Sequence, residues 1–228
     1  MSLKAPTTNG NKKFATQPNL EPGSYPARVV RVYGLGEHPQ SYKGEAKPPK
    51  NLIYVVYELS DAFMVDEQGN EMEDKPRWVM EKFPLHSLRS ENAKSTARYL
   101  AIDPTQQYKG DWSQLVGLPV SVTIVNNPGT DGRVFDNVAN TTAMRPRDAA
   151  KLPDLQNEGF FFDPSEPVLE YYNQIPTFIQ DEMKKALDFP NGPLAKLIGD
   201  APAAAPKKQE KVEEPDEAEE ENDDNPWD

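Results

Sequence analysis

Between Gly23 and Met144 apolar and polar residues alternate in short runs divided by turn chemistry, the two-residue period of half-buried strands. GSYPARVVRVYGLG is the first run, and its glycines permit bending. In LIYVVYELSD, Ile53, Val55, Tyr57 and Leu59 share one face, while Leu52, Tyr54, Val56 and Glu58 share the other. RWVMEKFPL is a third strand. Between these runs, the prolines and lysines of EHPQSYKGEAKPPK predict a long basic loop, and DEQGNEMEDKP a polar turn.

The period then changes. Ser90 is placed as the N-cap of ENAKSTARYLAI, where Ala93, Ala97, Leu100 and Ala101 recur at helical spacing and Asp103-Pro104 ends the helix. GLPVSVTIVNN and GRVFDNVANTTAM are two further strands, and the Gly129 and Gly132 of NPGTDG suit a hairpin between them. The chain is therefore expected to be mainly β, in the order of a five-stranded oligonucleotide/oligosaccharide-binding (OB) barrel with a helix between strands three and four. Small SH3-like barrels and half-sandwiches share that punctuation. After Pro146 aromatics cluster, and a helix is expected from about Pro176 to Leu187, packed on the barrel or docking a partner. The expected organisation is a loose arm over 1–22, the barrel over 23–146, a helical extension over 147–199, and a disordered linker and acidic tail over 200–228.

Charge sharpens this division. The net charge is -12 over 228 residues, yet residues 1–150 hold 18 Lys and Arg against 17 Asp and Glu, and residues 212–228 hold 10 acids and no base. A near-neutral body can thus meet a polyanion that the whole-chain charge would repel. The chain has no cysteine and only His38 and His86, which excludes disulfides, thiolate chemistry and a histidine-rich metal site. It lacks a nucleophile elbow, a phosphate-binding glycine loop, a His-Glu-x-x-His pair and a calcium loop. The acidic stretches DEQGNEMED and DGRVFDN, with Asp131 and Asp136, read as solvated turns. His86, after a strand end, reads as a surface or capping residue. No enzyme activity and no cofactor is expected. With no long apolar run and no signal-peptide core, the expected location is a reducing cytoplasm.

Cations interleaved with aromatics remain. Arg28 and Arg31 lie on the first strand, Lys43, Lys47 and Lys50 join Tyr42 in the first loop, Tyr54 lies on strand two, and Arg77, Trp78, Lys82 and Phe83 lie on strand three. Single-stranded nucleic acid is held by such mixtures, cations tracking phosphates and ring faces stacking on bases at about 1–3 kcal/mol each. Tyr57 and Phe83 are expected to favour the core, and Tyr54 and Trp78 are the stronger stacking candidates, with Phe83 next. A one-residue slip would exchange Trp78 and Phe83. In the tail, Pro226 and Trp227 form an aromatic tip that no core can bury, with Asp223, Asp224 and Asp228 around it. Such a tip suits docking in an apolar pocket with a basic rim.

A near-neutral small barrel, a Pro/Ala linker and a final DDNPWD resemble the plan of single-stranded DNA-binding proteins of bacteria and phages. GSYPARVVRVYGLG, VVYELSD, EKFPLHSL, DWSQLVGLPVSVTIVNN and YNQIPTFIQDEMKKALDF together resemble phage replication-module proteins of that kind. The resemblance implies an OB fold, sequence-tolerant binding of single-stranded DNA, and recruitment of replication or recombination proteins through the tail, inside a bacterial host cell. Relatives of this plan often form homo-oligomers. Trp227 followed by Asp228 departs from the usual terminal Phe, which points to a phage-encoded partner. The alternative is an acidic-tailed interaction module, a chaperone or DNA mimic, that never touches nucleic acid.

Overall fold

A computed structural model describes residues 17–130 and 132–200, and its strands follow the alternation but run longer than the sequence suggests. β1 (Gly23–Tyr42), β2 (Glu45–Val65) and β3 (Glu71–Pro84) form an antiparallel meander. β4 (Pro119–Pro128) pairs with the start of β1, and β5 (Val134–Thr142) pairs with β4, giving the order β3-β2-β1-β4-β5. The sheet curls into a half-barrel. Its interior takes Ala27, Val29, Val32, Ile53, Val55, Tyr57, Leu59, Val79 and Phe83, together with Val120, Val122 and Ile124. These include Ile53, Val55, Tyr57 and Leu59, the four residues that share one face of strand two.

β3 and β5 are the two ends of the sheet, and side chains join them. Arg77 Nη2 meets Asp136 Oδ2 at 3.1 Å. The helix α1 (Lys94–Ile102) sits across the same opening and buries Tyr99 and Ile102 in the core. From α1, Arg98 donates to Glu81 Oε1 of β3 at 2.9 Å, and to Asn140 Oδ1 and the Ala139 carbonyl of β5 at 2.8 and 3.0 Å. Tyr57 Oη donates to the same Glu81 oxygen at 2.9 Å, and Lys94 lies 2.8 Å from Oε2. Ser90 is not the cap of this helix: Ala93 holds that position with no side-chain cap, and Ser90 instead forms a turn whose carbonyl accepts from Ala93 N–H.

Three further expectations need correction. The basic loop is a two-stranded ribbon: Tyr42 pairs with Glu45 around Lys43 and Gly44, both at positive φ (52° and 82°), the geometry of a two-residue hairpin turn. Its prolines are accommodated because the register skips from His38↔Lys50 to Gln40↔Lys47, leaving Pro39, Pro48 and Pro49 outside the ladder, where a missing N–H is harmless. The arm expected over 1–22 is fastened before Gly23: Gln17 exchanges two hydrogen bonds with Val65, Asn19 donates to Asp136, and Leu20 is buried. Asp136, read as part of a solvated turn, is instead a β5 residue taken up by Asn19, the Leu20 N–H and Arg77.

The extension packs back on the barrel. After a short turn of helix, α2 (Pro146–Ala149), the strand β6 (Phe160–Phe162) pairs in parallel with Arg31–Tyr33 of β1. α3 (Leu169–Gln174), α4 (Thr177–Met183) and α5 (Pro193–Ile198) then cover the outer face of β1 and β2. Ile179 and Met183, four apart on α4, point inward with Ile175 and Leu194 onto Tyr33, Leu35 and Val56. No helix among the described residues is long and apolar enough to cross a membrane.

Candidate nucleic-acid interface

The outer face of β2 and β3 is where the sequence places a ligand, and its register there is settled. Tyr54 lies opposite Lys82 and Glu58 opposite Trp78, while Phe83 faces inward opposite Ile53. Phe83 is 2% exposed, wedged against Trp112 at 5.7 Å between ring centres, so its ring has no open face for a base.

Several proposed phosphate contacts are held by the fold. Arg28 donates to the carbonyls of Gly117, Leu152 and Pro153, tying the extension to the barrel. Arg77 is divided between the Pro18 carbonyl and Asp136. Arg31 is buried, with its guanidinium 3.9 Å from the centre of Phe160 and 5.7 Å from Trp78. Burial lowers its pKa below the ordinary arginine value, and its neighbour Tyr33 is pushed up to about 12 by the same loss of solvent. Trp78 is half-buried and donates to Glu58 Oε2 at 3.2 Å, which leaves part of its ring beside an open depression lined by Met64, Lys75 and Asn157. Arg28, Arg31 and Arg77 read alike in the sequence because a strand arginine held inside the fold looks the same as one facing phosphate.

What stays open is a strip and a finger. In the strip, Lys82 Nζ lies 5.8 Å from the Tyr54 ring centre, and Phe178 of α4 meets Tyr54 edge-on at 6.2 Å while remaining 54% exposed. Lys82 also pairs with Glu182 at 2.9 Å, and that hydrogen bond holds the Glu182 carboxyl below its usual range. Phe178 was absent from the sequence candidates. The available signal was the i, i+4 pair Ile179 and Met183, which fixes the buried side of α4 and turns Phe178 outward.

No family model and no curated protein matches the chain. The site therefore rests on its geometry. The finger is the ribbon over residues 37–50, whose tip carries Tyr42, 62% exposed, with Lys43 Nζ 5.4 Å from its ring centre. Lys47 pairs with Glu45 at 2.8 Å, and Lys50 Nζ approaches His86 Nδ1 at 3.2 Å. Burial, and then the Lys50 charge, lower the His86 pKa, so the imidazole is neutral and accepts from Lys50 near neutral pH. From Glu45 to Tyr54 the strand spans roughly 30 Å at about 3.3 Å per residue, so finger and strip form one extended cation–aromatic track. Asp223, Asp224, Pro226, Trp227 and Asp228 lie outside the described residues.

Proposed function

We propose that the chain is a non-enzymatic single-stranded DNA-binding protein of the OB type, serving phage DNA replication, recombination or repair. The observation that carries the proposal is the track itself: exposed or half-exposed Tyr42, Tyr54 and Phe178 are interspersed with Lys43, Lys47, Lys50 and Lys82 along the ribbon and the adjoining strip of β2, β3 and α4. Strand order β3-β2-β1-β4-β5 with α1 inserted between β3 and β4 is compatible with an OB barrel. Bases stack on the three rings while the lysines follow the phosphates, and this arrangement reads no sequence because every base offers a ring face. The helical extension displaces the path from the centre of the outer face toward the ribbon and α4. The acidic tail competes with the strand for these lysines and, once displaced, offers Pro226 and Trp227 to replication or recombination proteins.

Ultraviolet cross-linking to oligo-dT, followed by mass spectrometry of the adducts, tests the path. Adducts at Tyr42, Tyr54 and Phe178 are expected. Adducts confined to rings off the track, such as Trp112 or Phe161, would overturn it.

A further inference from the structure

A cleft of about 460 Å³ opens between the barrel and the extension, at the base of the ribbon. Gly34 and Gly36 of β1 help form its floor, and Leu85, Trp112, Phe161 and Phe189 supply apolar walls. Gly36 is required there: its φ is +83°, and an added Cβ would lie 2.6 Å from Asp188 Oδ1. The volume falls within the roughly 300–1,000 Å³ of sites that take a substantial apolar group. Its charged lining residues are Asp111, Asp163 and Asp188, and among the described residues no cation lines it. Each carboxylate uses Oδ1 on nearby donors: Asp111 on Ser113, Asp163 on Ser165 and Asp188 on the Glu37 N–H. A phosphate chain is repelled by this rim, and so is the chain's own acidic tail.

The complementary segment is at the other end of the chain. Residues 1–16 carry Lys4, Lys12 and Lys13, no acid, and a single aromatic, Phe14, directly after two of the lysines. We propose that the cleft receives this segment from a second copy of the chain, Phe14 entering between Trp112, Phe161 and Phe189 while Lys12 and Lys13 meet the carboxylate rim. The contact is assigned between copies because the segment is anchored far along β2 from the cleft. Gln17 is fixed at Val65 by two hydrogen bonds, whereas the cleft begins near Asn51–Ile53 at the opposite end of β2. The strand between them is about 40 Å long at ~3.3 Å per residue. Phe14 precedes Gln17 by a reach of only about 10 Å at ~3.5 Å per residue. Donor and acceptor surfaces differ, so two copies can exchange their segments reciprocally in a dimer, or the contact can pass from copy to copy along a row or ring.

The test needs no nucleic acid, which separates its outcome from that of the DNA-binding proposal. Phe14 in the full chain is replaced by the photoreactive analogue benzoyl-phenylalanine, and a mixture of isotopically heavy and light protein is irradiated. Adducts joining heavy to light chains at Trp112, Phe161 or Phe189, fading as salt is raised, are the expected result. In sedimentation, Phe14→Ala and Asp163→Asn should each weaken self-association, the former by about tenfold or more, since a buried aromatic is lost. Adducts within one chain, adducts mapping outside the cleft, or no cross-linked species would overturn the proposal.

Discussion

Arg98→Met is expected to destabilise the protein by about 3–5 kcal/mol, the usual cost of removing one partner from a buried ion pair. The side chains of Arg98 and Glu81 are 5% and 4% exposed, and Arg98 also satisfies Asn140 and the Ala139 carbonyl. Removing it leaves Glu81 with Tyr57 and the partly exposed Lys94, and detaches α1 from the β5 side of the opening. Lys94 softens the loss, which places the effect toward the lower end of that range. The companion double variant Glu81→Leu/Arg98→Met should lose less than the two single variants summed, because no buried charge is left unpaired. Denaturant unfolding of the three variants checks both statements. A loss below about 1 kcal/mol for Arg98→Met would mean that packing and the Arg77–Asp136 pair hold the sheet ends without Arg98.

The second large effect concerns the finger. Replacing Lys43, Lys47 and Lys50 together by alanine should reduce the salt slope of oligo-dT binding by about 2, at ~0.7 per phosphate contact on single strands. Tyr42→Ala should weaken binding by about 1–3 kcal/mol, the range for one base–aromatic stack. These residues lie on an exposed ribbon, with Lys43 and Tyr42 at its tip, so the folded body should be unchanged. Binding titrations at several salt concentrations separate the two contributions: the lysine variant changes the slope, and the tyrosine variant shifts affinity at constant slope. Arg28→Ala behaves differently. Its bonds are to the Gly117, Leu152 and Pro153 carbonyls, so it should lower thermal stability rather than the salt slope.

Arg28 illustrates what the chain alone does and does not reveal. The inner and outer faces of β2 were legible because Ile53, Val55, Tyr57 and Leu59 alternate without interruption, and a slip of one residue would have turned them all to solvent. The hairpin of β4 and β5 was legible from NPGTDG, where Gly129 N–H and Gly132 N–H close the turn. The ribbon was hidden because its prolines mimic a loop, and only the paired register shows them standing outside the ladder. The fate of the strand arginines was hidden because their partners lie far along the chain: Asp136 for Arg77, and the 152–153 carbonyls for Arg28. For the same reason the sequence does not show that α4, some 120 positions later, lays Phe178 beside Tyr54.

Both faces of the central strands are buried, one by the barrel core and one by the extension. This explains how a single sheet carries long strands with near-continuous apolar runs such as LIYVVYEL, and it moves the candidate interface to the margins of the sheet. The same cover creates the acidic cleft at its border. Track and cleft then carry opposite electrostatic character, one suited to a polyanion and the other to a basic segment.

The measurement that tests the central proposal most directly is fluorescence anisotropy of labelled oligo-dT of about 30 nucleotides, longer than the ~4–16 that one OB fold covers. It is made at two salt concentrations with the full chain and with a chain ending at Lys211. Tight binding that weakens steeply with salt, and that strengthens when the acidic residues after Lys211 are removed, is the predicted result. Absence of binding by both proteins would contradict the single-strand proposal and leave the acidic-tailed interaction module as the account of this chain.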